Sequence, residues 1–206
     1  MPIYLRFKFP CRLNGEFMIE ICALHIEKNL DIQQFESLLL LVSEEKRNRI
    51  LKNVRFEDAQ RSLLADVLAR FMLCRSLNLS NEDITFYYNS FGKPFLKNVE
   101  NVFFNVSHSG NWVVCALDNS PIGIDIEIVK PIDISIARRF FSTVEYKDIM
   151  KRTPTQREDY FYTLWTLKES YIKAIGKGLS IPLDSFSFRV KNDMKDPNGN
   201  IVAVIG

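Results

Sequence analysis

Displaced by 100 residues, the chain partly repeats itself. Leu64 falls on Leu164, Val67 on Leu167, Phe71 on Tyr171 and Met72 on Ile172. The match continues with Leu79-Ser80 on Leu179-Ser180 and Phe86 on Phe186. Both segments read as a long helix, a short Leu-Ser connection and a strand. Chance alignment of two amphipathic helices explains part of this; duplication explains the whole and predicts an α+β chain of two similar halves. A length of 206 residues suits one large domain or two small ones sharing an interface. On this reading the second half ends early: strand 201–205 corresponds to strand 102–107, and nothing remains to match 112–118.

Local signals fill in the rest. Residues 17–26 (FMIEICALHI) read as a strand. Ser43 is placed as an N-cap, with Glu44 and Glu45 in the first turn of a basic helix over 44–52. Ala59, Leu63, Val67, Phe71 and Cys74 keep the 3.6 period of a helix over 56–77. Strands are expected at 84–89, 102–107, 112–118 and 122–128, with Gly92-Lys93-Pro94 making the first turn. Helices follow at 133–141 and 143–151, the second opened by a Ser142/Glu145 capping box. A last helix over 156–175 stops at Gly176. Strands at 184–190 and 201–205 close the chain around the turn Asp196-Pro197-Asn198-Gly199.

Composition narrows the function classes. An apolar content of 47% with 25% charged residues is that of a soluble globular protein. A net charge of +2 gives no general affinity for nucleic acid or anionic membrane, so any basic site is local. Cys11, Cys22, Cys74 and Cys115 are irregularly spaced, without a C-x-x-C pair, and read as reduced thiols rather than disulfides or zinc ligands. Arg6, Lys8 and Arg12 interrupt any signal-peptide core, and no uncharged run reaches membrane-spanning length. The expected location is the cytoplasm.

Three clusters carry candidate chemistry. Asp125 and Glu127 are two apart on an alternating strand, so their carboxylates share a face while Ile124, Ile126 and Ile128 point to a core. They form either a solvated strand face or an oxygen-only site suited to magnesium or manganese. Trp165, Glu169 and Lys173 make one helical stripe. Glu169 and Lys173 are either a surface ion pair or a third oxygen ligand beside a phosphate-binding ammonium. In Phe103-Phe104-Asn105-Val106-Ser107-His108-Ser109, His108 is either structural or, with its flanking hydroxyls at a strand end, part of an anion site. Lys46, Arg47, Arg49, Arg61 and Lys93 are further phosphate-contact candidates, each also readable as solvated surface.

Taken in order, S-H-S-x-x-W-V, I-G-I-D-I-E and F-x-x-x-W-x-x-K-E-S-x-x-K-x-x-G-K-G-L-S resemble the 4'-phosphopantetheinyl transferases of the surfactin-synthetase-activating (Sfp) type. The similarity runs from about Ser43 to Phe188, roughly two-thirds of the chain. It includes Lys130–Tyr146 and a D-A-x-R segment at Asp58–Arg61. The resemblance implies a pseudo-twofold α+β fold with the active site between the halves, residues 18–121 and a short second half, 122–206. Residues 1–17 would be an N-terminal extension, with Met18 an alternative start. The C-terminus would be short of further family strands.

The resemblance also implies roles. Asp125, Glu127 and Glu169 would hold magnesium with the coenzyme A pyrophosphate, and Lys173 would contact that pyrophosphate. Lys46, Arg49, Ser62 and His108 would surround the 3'-phosphate, Gly92, Lys93 and Pro94 would lie along the adenine, and Ser107 and Arg61 would neighbour the nucleotide. Glu169 or Glu127 would take the proton of a carrier-protein serine. The expected partners are coenzyme A and apo acyl or peptidyl carrier proteins, with no nucleic acid and no membrane, and the chain is expected to be a monomer. Carriers of this type are acidic, which makes Lys130–Lys151 the candidate docking stretch, through Arg138, Arg139, Lys147 and Lys151. Its Phe140, Phe141 and Tyr146 read either as exposed contacts or as core. A metal-dependent phosphodiesterase and a non-catalytic coenzyme A or carrier-binding relative are the competing readings.

Overall fold

The computed structural model describes residues 5–8, 19–190 and 200–205. Strands β1 (Leu5–Lys8), β2 (Glu20–His25), β5 (Phe103–Ser109) and β6 (Trp112–Asp118) form an antiparallel sheet in the order β1-β2-β6-β5. β1 falls within the stretch expected to be an extension and pairs with β2. β3 (Phe86–Tyr88) and β4 (Pro94–Leu96) make a small hairpin, and β7 (Gly123–Glu127) pairs antiparallel with β8 (Ile201–Ile205).

Strand alternation sorts the side chains into layers. Cys22, Leu24, Val113, Cys115 and Leu117 face one way and pack with Leu64, Leu68 and Met72 of α3 (Phe56–Leu77). Val114 and Ala116 face the other way, against Ile122, Ile124 and Ile126, with Ile21, Ala23 and Trp112 beside them. The opposite face of β7 and β8 receives α6 (Pro154–Ile175), whose Ser170 Oγ donates to Ala203 O at 2.9 Å. The order of layers is therefore α3, the four-stranded sheet, the β7–β8 pair, and α6.

Gly123 makes the last contact possible. A Cβ there would come 1.9 Å from Ser170 O and 2.5 Å from Ala174 N, so only glycine lets α6 lie this close to β7.

Most expected elements are present. Both long helices have 22 residues, and Gly176 ends α6 in the left-handed conformation. α2 (Glu44–Ile50) is capped by Ser43, and α5 (Thr143–Met150) starts with the Ser142/Glu145 capping box. The stretch expected as one helix over 133–141 is a 3-10 turn, Ile134–Ile136, followed by a single helical turn, α4 (Ala137–Phe140). Helix α1 (Ile32–Leu39) was not expected, although Asp31 and Gln34 form a capping box that announces it. Strand β8 lies directly against β7, whereas β6 separates β5 from β2, so the pairing order of the expected halves differs. The turn at 196–199 lies outside the described residues.

One expected strand is absent. Residues 184–190 form a 3-10 turn, Leu183–Ser185, and then irregular backbone. A buried ion pair takes the polar groups a strand would have paired. Lys168 Nζ lies 2.8 Å from Glu145 Oε2 and donates to Leu183 O and Phe186 O, each at 2.6 Å. Glu145 Oε1 accepts from Phe188 N at 2.9 Å. With Lys168 0% and Glu145 1% exposed, these bonds are what make the burial tolerable.

Cys22 and Cys115 are cross-strand partners and, like Cys74, are free thiols; burial pushes the Cys22 thiol up to about 11 and Cys115 higher still. Such thiols are inert packing groups at neutral pH. Among the described residues, no helix is long and apolar enough to cross a membrane.

Candidate active site

The layering dictates where the polar residues meet. On β7, the alternation that sends Ile124 and Ile126 into the core turns Gly123, Asp125 and Glu127 toward α6. On α6, Trp165, Glu169 and Lys173 follow at i, i+4 and i+8 and face back. Edge strand β5 closes the gap. Its alternation puts Asn105, Ser107 and Ser109 on the β7 side, and Phe104 and Val106 on the α3 side.

Side chains join β5 to β7, rung by rung. Asn105 Oδ1 accepts from Ile124 N at 2.9 Å, Ser107 Oγ donates to Asp125 Oδ1 at 2.7 Å, and Ser109 Oγ donates to Glu127 Oε2 at 2.9 Å. The resulting cleft, of about 450 Å³, is lined by Lys46, Ser62, Ser107, His108, Asp125, Glu127, Trp165, Glu169 and Lys173, with Ala65 and Val106.

Lys173 is the cation at its centre. Its Nζ donates to Asp125 Oδ1 at 2.6 Å and to Ser107 Oγ at 3.0 Å. Asp125 Oδ2 is buried with no hydrogen-bond partner. Burial first, and the Asp125 charge second, hold the carboxyls of Glu127 and Glu169 above the usual carboxylate range; Lys173 acts against this at both. Among the described residues, no three histidine, cysteine, aspartate or glutamate side chains come close enough together to hold a metal ion as they stand.

The other end of the cleft is basic. His108 is exposed at the rim but partly desolvated by the surrounding walls. That desolvation, then the Arg61, Lys173 and Lys46 charges, pushes its imidazole below its ordinary value. Lys46 is likewise lowered, by burial first, with Asp66 opposing and Arg49 adding to the effect. Cationic groups crowded enough to depress one another make a place where an anion is favoured.

Not every expected residue reaches this cleft. Arg49 stacks over the Tyr88 ring, 5.4 Å from its centre. Arg61 pairs with Asp58 and donates to Gly110 O at 3.2 Å. Gly92 and Lys93 are in the β3–β4 turn and Pro94 starts β4, and Lys93 points its ammonium at backbone carbonyls instead. Asn105 was not foreseen, although its period-2 spacing with Ser107 and Ser109 marks it. In the docking stretch Phe141 is core, Phe140 and Tyr146 are half-buried, and Arg138, Arg139, Lys147 and Lys151 are exposed.

Comparison with known proteins gives a consistent answer. A family model described as 4'-phosphopantetheinyl transferase superfamily matches residues 121–199, and one described as 4'-phosphopantetheinyl transferase, N-terminal, matches residues 30–120. The chain is 45% identical over 175 residues to 4'-phosphopantetheinyl transferase Sfp of Bacillus subtilis (strain 168), covering 85% of this chain and 78% of that protein. It is 45% identical over 169 residues to 4'-phosphopantetheinyl transferase gsp of Aneurinibacillus migulanus, covering 82% of this chain and 70% of that one. It is 44% identical over 161 residues to 4'-phosphopantetheinyl transferase psf-1 of Bacillus pumilus, covering 78% and 69%. With family models matching residues 30–120 and 121–199 and 45% identity over most of the chain, this chain belongs to the 4'-phosphopantetheinyl transferase superfamily.

Proposed function

We propose that this transferase uses the cleft between α3 and α6 to move the 4'-phosphopantetheine group of coenzyme A onto a serine of an apo acyl or peptidyl carrier protein. The observation that carries this reading is the pairing of a carboxylate cluster and Lys173 at one end with a basic rim at the other. Coenzyme A offers a partner at each end: its 3'-phosphate for the basic rim, and its pyrophosphate for Lys173 and for a cation held by the carboxylates.

The serine oxygen attacks the pantetheine-side phosphorus, its bond to the outgoing phosphate oxygen breaks, and 3',5'-adenosine bisphosphate leaves. Glu127 or Glu169 accepts the serine proton. Their raised pKa values make either a better base than an exposed glutamate. Lys173 offsets negative charge on the pyrophosphate as the bond breaks. Lys46, Ser62 and His108 hold the 3'-phosphate, with Arg49 and Arg61 adding to the local potential. Ser107 and the Gly92-Lys93-Pro94 turn border the nucleotide.

The donor chemistry suits a hard divalent cation, magnesium or manganese, because it is oxygen-only and leaves Asp125 Oδ2 buried without a partner, although the three carboxylates would have to draw together from their present positions to share it. Asp125, Glu127 and Glu169 are the ligands we assign, and the ion would neutralise phosphate charge that Lys173 alone cannot. We assign the two α–β layers to halves 18–121 and 122–206 related by a pseudo-twofold, a monomer with its active site between them. The recurrence of 22-residue helices ending in left-handed caps, Asn78 and Gly176, supports this.

Coenzyme A-dependent labelling of an apo-carrier tests the proposal. A carrier mass increased by one phosphopantetheine supports it. Cleavage of coenzyme A without labelling would indicate a phosphodiesterase, and binding without either product a non-catalytic relative.

A further inference from the structure

Lys93 is only 8% exposed, yet it carries an ammonium. Its Nζ donates to Lys173 O at 2.6 Å, Ala174 O at 2.8 Å and Ile122 O at 3.2 Å. Lys173 and Ala174 belong to the last turn of α6, whose carbonyls have no partner within the helix. Ile122 directly precedes β7. One side chain from the β3–β4 turn thus fastens the end of the helix bearing Glu169 and Lys173 to the start of the strand bearing Asp125 and Glu127.

The turn is built for this. Asn89 Oδ1 accepts from Phe91 N at 3.0 Å and from Lys93 N at 2.9 Å, and Asn89 Nδ2 donates to Gly176 O at 2.7 Å. Gly92 supplies the left-handed residue, φ +83°. Gly176 is needed as well, because a Cβ there would lie 2.7 Å from Lys93 Cδ. Three carbonyl oxygens converge on a group with three N–H donors and no acceptor, the one side-chain chemistry that satisfies all of them. The positive charge also suits the negative end of the α6 dipole.

We infer that Lys93 is a positioning residue: by holding the final turn of α6 against the start of β7, it fixes where the Lys173 ammonium meets Asp125 in the transfer reaction. The inference rests on the reading of the cleft as the transfer site. It assigns the side chain of Lys93 to that task and leaves to the backbone of its turn any contact with the nucleotide. Burial lowers Lys93 to about 8, and the desolvated ammonium is held by the three carbonyls with the Phe95 ring centre 5.8 Å away.

The test uses the full chain with magnesium, coenzyme A and an apo-carrier, and compares Lys93→Met, Lys173→Met and the double variant. Methionine keeps the stem packed against Gly176 while removing the donors. Lys93→Met should lower kcat by about 10- to 100-fold, the cost of a misplaced reacting group. It should leave the preference for coenzyme A over dephospho-coenzyme A unchanged. The double variant should be no slower than Lys173→Met alone, because Lys93 acts through Lys173. A raised KM for coenzyme A with kcat intact, a lost 3'-phosphate preference, or independent additive losses would each overturn the inference. If Lys93→Met does not fold, Lys93→Arg decides: a planar fork cannot replace a compact ammonium between three carbonyls, so a wild-type kcat overturns the inference. Full transfer by Lys173→Met would instead overturn the reading of the cleft. Transfer lost in Lys173→Met but untouched by Lys93→Met would overturn this inference alone.

Discussion

Lys173 Nζ stands 2.6 Å from one oxygen of Asp125, while the other oxygen of that carboxylate is buried without a hydrogen-bond partner. The half-satisfied carboxylate lines the same cleft as Glu127 and Glu169, and each of the three should be needed for transfer. Asp125→Ala, Glu127→Ala and Glu169→Ala are expected to lower kcat by at least about 100-fold with the fold retained, as the loss of a cation's charge stabilisation would. Steady-state rates at limiting magnesium check this. Near-wild-type rates for any two of the three variants would sink the shared-metal assignment.

A stability profile reports on the same cluster without any turnover. Glu127 and Glu169 are raised above the ordinary 4.5 in the folded protein. The folded state therefore binds more protons than the unfolded one once pH exceeds 4.5. Their contribution to stability is complete below that pH and lost as pH rises through the folded values. The metal-free melting temperature should fall on that alkaline side, and magnesium should restore it there more than at acid pH. A magnesium effect independent of pH would contradict the role of these two carboxyls.

His108 behaves in the opposite sense. Its imidazole is depressed below 6.5, so the stability it contributes is present above 6.5 and lost as pH falls through the folded value. A phosphate bound beside it favours the imidazolium. The preference for coenzyme A over dephospho-coenzyme A should therefore widen as pH drops from about 8 to about 6.5. His108 is solvent-exposed, so His108→Ala should shrink that preference by only about 3- to 10-fold. A variant that discriminates as the wild type does would give His108 another role.

How much of this was readable beforehand depended on whether the signal was local. The 3.6 period of 56–77 and the Gly176 stop gave both long helices because caps and apolar stripes are written in neighbouring residues. The D-x-E alternation likewise put Asp125 and Glu127 on one face. Residues 184–190 carry a strand-like pattern but are not a strand, because what decides them, Lys168 and Glu145, is distant in sequence. The clamping role of the Lys93 side chain is not legible for the same reason: its acceptors, Ile122 O, Lys173 O and Ala174 O, lie about 30 and 80 residues away. Helix α1 is legible through its D-x-x-Q box.

The buried Lys168–Glu145 pair should matter far more than the exposed Lys151–Asp148 pair, although their separations are similar at 2.8 and 3.1 Å. Lys168→Met strands a carboxylate at 1% exposure, at a cost of about 3–5 kcal/mol. For a chain of this length that corresponds to a drop of roughly 10 °C in Tm. Lys151→Met should change Tm by no more than about 2 °C. Thermal melts that shift equally for both would mean that burial does not set the energetics here.

We place the carrier surface on the exposed basic segment between β7 and α6. Arg138, Arg139 and Lys147 are exposed, Lys151 is exposed but shared with Asp148, and Phe141 is withdrawn into the core. Phe140 is half-buried with its ring edge-on to Trp165, centroids 5.8 Å apart, which connects this basic segment to the wall of the cleft. An acidic carrier approaching here would be steered by charge and would deliver its serine beside Trp165 and Glu169. Such steering acts on encounter more than on the bound complex, and salt screens it over about 8–10 Å. Arg138→Glu or Lys147→Glu should therefore raise the KM for carrier several-fold at low salt, converge on the wild type as salt increases, and leave coenzyme A affinity unchanged. Neither residue lines the cleft, so a parallel loss of coenzyme A affinity would show that the reversals disturb the cleft itself. Carrier kinetics unaffected by either reversal at low salt would place the docking surface on another face of the protein.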